Sequence, residues 1–410
     1  MKLRLAWVPA ALAAACAAQT GAWSYRGFLE NRALYYPSAT ANDQVRLVDE
    51  TLLRVEGKLR LPGGFGLSAG LDAQTDSDNQ VTRAWRFSWD DRTAQRPPLA
   101  LRTMSVHYTR GPFRIEAGKQ ILHWGQMDFS SPTDKLAPRD YLNPASADYL
   151  GAFAVRAVVD TGPRSLELVY LPRFTPSRIP LTDSRWLILP AEFDGYTYRP
   201  QGVQYPGGGQ VGVRYHQIVS PYEFSVCYFA GYKTLPTFLY DKDPIKLNLN
   251  YQTLYPKMQM VGADFAAPWH GLLWKVESSY IRSESSYLSG NWTYALQAEK
   301  TGDKWQWALE VAGDKLTETK RPNTLDADRA TRDAVSGHVA WTPTPRQTVS
   351  AEWFLHPNGK AFITRILYSR NLYSTLRAIG GFLWIGGSQS DPLARYNVNS
   401  YLTLQLRYSF

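Results

Sequence analysis

The chain has 410 residues, a formal net charge of +9, 44% apolar residues and 13% aromatics, among them 14 Trp and 25 Tyr. Past the first two dozen positions no apolar stretch reaches membrane-helix length, which excludes helical spans. Lys and Arg are scattered among carboxylates with no basic run, so nucleic acid is set aside as a partner.

The first 22 residues read as a leader. Lys2 and Arg4 make a basic start, Leu5 to Ala18 is an Ala-rich apolar run, and small and polar residues follow. This pattern predicts a signal peptide over 1–22, cleaved between 17 and 22. Cys16 follows Ala13-Ala14-Ala15; a lipidated Cys would favour Leu at position 13, so an ordinary leader is preferred. Removing Lys2 and Arg4 leaves +7 on the mature chain, and Cys227 as its single cysteine. No intrachain disulfide can then form, no Cys-x-x-Cys-His haem site exists, and no cofactor is expected.

From residue 23 onward, tight turns recur at Pro62-Gly63-Gly64, Arg110-Gly111-Pro112, Thr161-Gly162-Pro163, Ser220-Pro221, Pro268-Trp269-His270, Thr301-Gly302-Asp303, Pro343-Thr344-Pro345 and Asn371. Gly and Pro supply the backbone angles such turns need. Alternating segments of roughly ten residues flank them, the length of a tilted membrane strand. Phe153, Val155, Ala157 and Val159 share one face. Leu166, Leu168 and Tyr170 alternate with Glu167; Val211, Val213 and Tyr215 with Arg214 and His216; Leu272, Trp274 and Val276 with Lys275 and Glu277; Trp305, Trp307, Leu309 and Val311 with the polar residues between them. The last segment puts Leu402, Leu404, Leu406, Tyr408 and Phe410 on one side, and Tyr401, Thr403, Gln405, Arg407 and Ser409 on the other. Its aromatic end at Phe410 resembles the assembly signal that outer-membrane barrels present to the barrel assembly machinery.

Longer polar connections fall near 37–44, 76–99, 123–150, 174–207, 233–252, 284–290, 317–331, 355–360 and 385–395. Eight short turns alternating with nine long loops imply about eighteen strands, with both chain ends on the short-turn side. The predicted fold over 23–410 is therefore all-β: a transmembrane antiparallel up-and-down β-barrel of about 18 strands. Hydrocarbon offers no hydrogen-bond partners, so every strand edge must be paired. A secreted β-sandwich or propeller is the rival fold; no repeated blade motif is visible, and turn–loop asymmetry has no reason to exist there.

The most distinctive segment follows the fifth predicted strand and runs Gly118-Lys119-Gln120, then Trp124-Gly125, then Ser131-Pro132-Thr133-Asp134. It resembles a family of outer-membrane porin-like barrels of unassigned solute, loosely akin to alginate-export barrels. That family carries a Gly-Arg/Lys-Gln strand end, a Trp-Gly pair and an Asn/Ser-Pro-x-Asp turn. Here Lys119 stands where Arg is more usual and Ser131 where Asn is common. The resemblance covers some two dozen residues and implies an outer-membrane channel. In barrels of this kind the third long loop folds inward and narrows the pore. By that analogy 123–150 is expected in the lumen. Asp128, Asp134, Lys135, Arg139 and Asp140 would then set the local charge, with Trp124 and Tyr141 pinning the loop to the wall. The competing expectation is an outward loop capped by Asx-turns at Ser131-Pro132 and Asp134.

An eighteen-strand barrel is wide enough to leave an aqueous path. Alternation directs Arg114, Glu116, Arg156, Arg214, Lys275, Arg377 and Arg407 to the lumen, with Arg54, Asp72, Glu277, Glu310, Glu352 and Arg365 on the same face. These charges either guide solutes or form cross-strand pairs that hold the wall. The six His are dispersed, and no Gly-x-Ser-x-Gly or His-Glu-x-x-His motif exists, so an enzyme is not expected. Asp90-Asp91 and Asp241/Asp243 could meet calcium, but isolated carboxylates more often face solvent. The sequence thus points to passive passage of small hydrophilic solutes, anions among the candidates, through an outer-membrane barrel in contact with lipid. A homotrimer or a partner protein is compatible with it. The rivals are a scaffold barrel of an export or electron-transfer assembly, and an outer-membrane hydrolase.

Overall fold

The computed structural model describes residues 22–318, 323–326, 333–357, 360–388 and 390–410. The predicted leader, apart from Ala22, lies outside them. Among the described residues, eighteen strands form the main sheet's meander: β1 (Trp23–Tyr35), β2 (Leu47–Arg60), β3 (Phe65–Asp76), β4 (Leu99–Arg110), β5 (Phe113–Gln120) and β6 (Ala152–Asp160). There follow β7 (Arg164–Leu171), β8 (Gln210–Val219), β9 (Tyr222–Tyr232), β10 (Lys257–Trp269), β11 (Leu272–Arg282) and β12 (Asn291–Thr301). The last are β13 (Trp305–Leu316), β14 (Ala334–Thr344), β15 (Gln347–His356), β16 (Ala361–Asn371), β17 (Leu376–Gly387) and β18 (Tyr401–Ser409). A further two-residue strand, Phe87–Ser88, runs parallel to the start of β4.

Each strand pairs antiparallel with the next, and β18 returns to β1 from Phe28↔Ser409 to Tyr35↔Leu402. Gly27 and Phe410 extend that seam with reciprocal backbone bonds of 2.9 and 3.0 Å. A Cβ on Gly27 would stand 2.6 Å from the Phe410 ring, so glycine is needed there. The closed ring leaves no edge for hydrocarbon to meet. The ladder between β3 and β4 is irregular at one point: Gly70 faces Thr103 while Leu71 faces Leu101, which makes Arg102 the extra residue of a β-bulge.

The connections alternate between the two ends, eight at one and nine at the other; those of the second end are the longer, except 357–360, expected as a long loop over 355–360 but only four residues, like the turn 372–375. The outward positions of the strands are aliphatic, as in Leu404, Leu406, Val261, Leu296 and Val311, all exposed. Trp23, Phe65, Phe113, Trp269 and Trp305 stand exposed toward the short-turn end, and Tyr35, Tyr170, Trp292 and Trp384 toward the long-loop end. Amphipathic rings favour such water–lipid boundaries. A polar interruption lies on the outer face of β1 and β2, where Asn31 Nδ2 donates to Asp49 Oδ1 at 3.0 Å and Thr51 Oγ1 at 3.1 Å. Beyond the barrel rim, Thr197–Gln204, Thr237–Asp243, Asn248–Leu254 and Thr324–Asp326 build a small second sheet from the long loops.

Candidate functional site

The inner wall of β11, β12 and β13 carries Glu277, Gln297 and Glu310, all fully buried. What buries them is the connection 121–151 between β5 and β6. It leaves β5 at Gln120, whose Nε2 donates to Ala154 O at 3.1 Å. Trp124 then inserts into the wall of β7 and β8, its Nε1 on Glu167 Oε1 at 3.0 Å. A Cβ on Gly212 would lie 2.6 Å from the Trp124 ring, so β8 makes room for it. The Trp-Gly and Ser-Pro pieces of the motif meet each other: a side chain on Gly125 would collide with Ser131 Oγ at 1.4 Å.

Glu277 organises this turn. It accepts from Gln126 N at 3.0 Å, Ser131 Oγ at 2.8 Å, Thr133 N at 2.6 Å and Thr133 Oγ1 at 2.7 Å. Gln297 and Asp128 exchange two bonds, of 3.1 and 2.8 Å. Glu310 accepts from the amides of Phe129 at 3.3 Å and Ser130 at 2.8 Å. Backbone donors with no secondary-structure partner are thereby satisfied by side chains of the wall.

The segment then returns. The Asp134 carboxyl, 1% exposed, accepts from Arg139 Nη2 at 2.9 Å and Tyr149 OH at 2.9 Å, and lies 3.0 Å from His123 Nδ1. Burial works to raise Asp134, but His123 and Arg139 outweigh it and hold it below its ordinary value. The bond to Asp134 in turn raises His123, against the effect of burial. Asp140 is buried between Arg96 and Arg178; burial alone would raise it, yet the two guanidiniums hold it well below the usual carboxylate range. Farther on, Ala145 O accepts from Arg365 at 3.0 Å, and Asp148 accepts from Arg54 and Arg102 at 2.9 Å each.

Above this segment lies a cavity of about 1050 Å³. Asp128, Asp134, Lys135, Arg139, Asp140 and Tyr141 line it; Trp124 does not, being packed into the wall. Arg32, Arg54, Arg102, Arg365 and Arg407 line it from β1, β2, β4, β16 and β18. Each has a carboxylate partner: Glu50, Asp72, Asp148, Glu352 and Glu30 respectively. In all, ten basic and twelve acidic side chains line the cavity, so it is not a net-basic chamber.

Of the charges that alternation directs to the lumen, Arg54, Asp72, Glu352, Arg365 and Arg407 line this cavity, whereas Arg114, Glu116, Arg156, Arg214, Lys275, Glu277, Glu310 and Arg377 do not. Arg214 borders a smaller one of about 300 Å³ with Gln126, Ser165, Glu167 and His216. Arg114 is bonded to Glu116, Arg156 to Glu167, Lys275 to Glu299 and Arg377 to Ser369 Oγ, at 2.7–2.8 Å. These four pairs hold the wall away from the large cavity.

Arg32, Arg96, Arg102 and Arg178 were not among the residues expected from sequence. Alternation can place Arg32 but not Arg102, which sits in the bulge. Arg96 and Arg178 lie in loops without periodicity.

No group of three or more metal-ligating side chains converges among the described residues. Asp90 is bonded to Arg173, and Asp91 to Lys119 and Arg178, so cations occupy that pair of carboxylates. His216 Nδ1 and Asp264 Oδ1 both approach Ser225 Oγ, at 3.1 Å each. The buried serine thus stands between histidine and aspartate, whereas a nucleophilic triad needs histidine in the middle.

Known structures share the architecture. Acinetobacter baumannii OccAB4 aligns over 96% of this chain and 99% of its own, with a TM-score of 0.57 at 9% identity. Acinetobacter baumannii OccAB2 aligns over 94% and 98%, with a TM-score of 0.51 at 12% identity. A mutant of the Rh. blastica porin gives a looser likeness that carries no argument by itself, 11% identical over 95% of this chain and 100% of its own, at a TM-score of 0.42. At such identities the likeness speaks for the fold: a closed antiparallel barrel of eighteen strands. The resemblance to alginate-export barrels rests on the sequence motif alone. No family model and no curated protein matches the chain.

Proposed function

We propose that this chain is an outer-membrane channel through which small hydrophilic solutes diffuse, with 123–150 as its constriction. The observation that carries the reading is the cavity of about 1050 Å³, bounded by Asp128 to Tyr141 on the connecting segment and by five arginines of the strand wall. A passive channel needs a wet path with groups that bind weakly and repeatedly, and paired charges along a wall are such groups. The motif's Trp-Gly and Ser-Pro-x-Asp pieces have a function in this scheme. They fold the connection into a shape that Glu277, Gln297 and Glu310 can hold.

Any preference for anions is slight. Arg407 is 40% exposed against 13% for Glu30, and Arg32 and Arg54 likewise stand nearer the water than Glu50 and Asp72. Yet Asp148 and Glu352 are more exposed than Arg102 and Arg365, and acids outnumber bases around the cavity. A solute therefore meets guanidinium and carboxylate groups side by side, an environment in which polar groups exchange one partner for another at low cost.

Deletion of 126–140, recorded in a planar bilayer, tests the constriction. Single-channel conductance rises if the segment narrows the path. A deletion barrel that conducts like the parent would overturn the reading.

A further inference from the structure

The connection 172–209 leaves β7 and runs across the long-loop end of the barrel. Near its start Phe174 packs on Tyr232 and Tyr255. Farther along, Arg185, fully buried, holds Asp43 of the 36–46 connection and lies over the Tyr36 ring. Trp186 packs beside Tyr396, and Arg395 bonds Asp194. The segment is thus strapped over the mouth from β7 to the neighbourhood of β1 and β18.

Between Phe174 and Arg185 sits Arg178, 5% exposed. Its Nη2 donates to Asp91 Oδ1 at 2.7 Å and its Nη1 to Asp140 Oδ2 at 3.0 Å. Its Nε donates to Thr93 O at 3.2 Å. Its backbone is joined to the constriction segment as well: Arg178 N donates to Arg139 O at 2.9 Å, and Tyr141 N to Arg178 O at 3.0 Å. Arg139 and Tyr141 both line the large cavity, and Arg139 goes on to bond Asp134 and stack on Tyr149. Asp91 is held from the other side by Lys119, and Asp140 by Arg96.

We propose that Arg178 is a positioning residue of the channel, coupling the strap over the mouth to the constriction by bridging Asp91 and Asp140. The inference rests on the constriction role given to 123–150. A planar guanidinium can serve two carboxylates at fixed angles, which a flexible ammonium cannot do. Removing one member of a buried charge network leaves its partners uncompensated, so loss of Arg178 leaves Asp91 and Asp140 each short of one cation. Because Arg178 touches the segment through side chain and backbone at once, displacement of the strap at 178 passes directly to Arg139 and Tyr141. Arg185 offers the internal contrast. It lies in the same strap and is at least as buried, but its partners are Asp43, Ser38 and Val45, none of them in 121–151.

The full-length barrel, reconstituted in planar bilayers under a KCl gradient, provides the test. R178M is expected to replace the single conductance level by several levels and to shift the reversal potential. D140N, which keeps the Arg178–Asp91 bond, is expected to split the conductance level as R178M does, into fewer levels, and serves if R178M does not insert. R185M leaves level and potential unchanged. Parental recordings from both R178M and D140N, or an R185M barrel that behaves as R178M does, would overturn the proposal. If deleting 126–140 alters conductance and R178M does not, the coupling fails alone. If neither alters it, the constriction reading falls with it.

Discussion

The inner wall around β18, β1 and β2 and the inner wall of β11 to β13 both carry carboxylates, and they use them differently. On the first, Glu30, Glu50 and Asp72 lie beside Arg407, Arg32 and Arg54, and in each pair the guanidinium is the more exposed member. On the second, Glu277 and Glu310 are buried and receive amide and hydroxyl hydrogens from 126–133. A carboxylate with a lateral cation yields a polar lining. A carboxylate without one, facing a loop, becomes a peg on which backbone hangs. The partner, more than the residue type, decides whether an acid of the wall meets solute or holds structure.

The comparison breaks most visibly at Glu277. Glu277→Ala takes the acceptor from four donors, at roughly 1–3 kcal/mol for each that water cannot reach. A clear fall in thermal stability in detergent and faster proteolysis within 121–151 are expected. Glu277→Gln keeps an acceptor where Oε1 meets Ser131 and Thr133, and loses only the bond from Gln126 N, so its effect is smaller. Equal effects from the two substitutions would mean that the peg is not what holds the segment.

The arginine wall is the next place to press. Replacing Arg32, Arg54 and Arg407 together with Gln exposes their acids. A partly exposed charge is worth about 0.5–1 kcal/mol to a passing ion. At tenfold per 1.4 kcal/mol the cation-to-anion permeability ratio should rise roughly two- to fivefold. An unchanged ratio in reversal-potential measurements would remove these residues from the path.

The smallest effect is expected at His123. Its folded value is raised, so its contribution is complete below the ordinary value of about 6.5 and is lost as pH climbs through the raised one. Asp134 is lowered, so its contribution holds above the ordinary value of about 3.8 and is lost as pH falls through the depressed one. The pair therefore holds best in the mildly acidic window between. Solvent around the partly exposed imidazole limits the effect to less than about 1 kcal/mol. Protection of 121–151 from protease should decline slightly from pH 6 to 9, and H123Q should show no such slope.

The barrel was legible because its physics is periodic. Period-two alternation, repeated Gly and Pro turns and the absence of helical spans each follow from pairing every backbone group inside lipid. Six of the seven loop residues singled out also reach the large cavity, since the motif that drew notice encodes the turn that Glu277 holds. Alternation tells which face a charge takes, but not its height along the lumen. Arg114, Arg156, Lys275 and Arg377 were therefore indistinguishable from Arg407, which alone of these five reaches the cavity. Arg102 escaped because a bulge at Gly70–Leu71 resets the parity of β4. Arg96 and Arg178 escaped because their partners, Asp140 and Asp91, come from other loops, and nothing local marks a contact made at that distance.

The seam between β1 and β18 has a temporal meaning. Glu30 and Gln405, hydrogen-bonded across it, stand 375 positions apart. A ribosome therefore delivers one half of this contact long before the other, and the earliest strand waits with a bare edge while every later one is made. The ring cannot be finished in the order in which it is written. Something must keep the waiting polypeptide from joining a stranger until Phe410 comes to lie on Gly27.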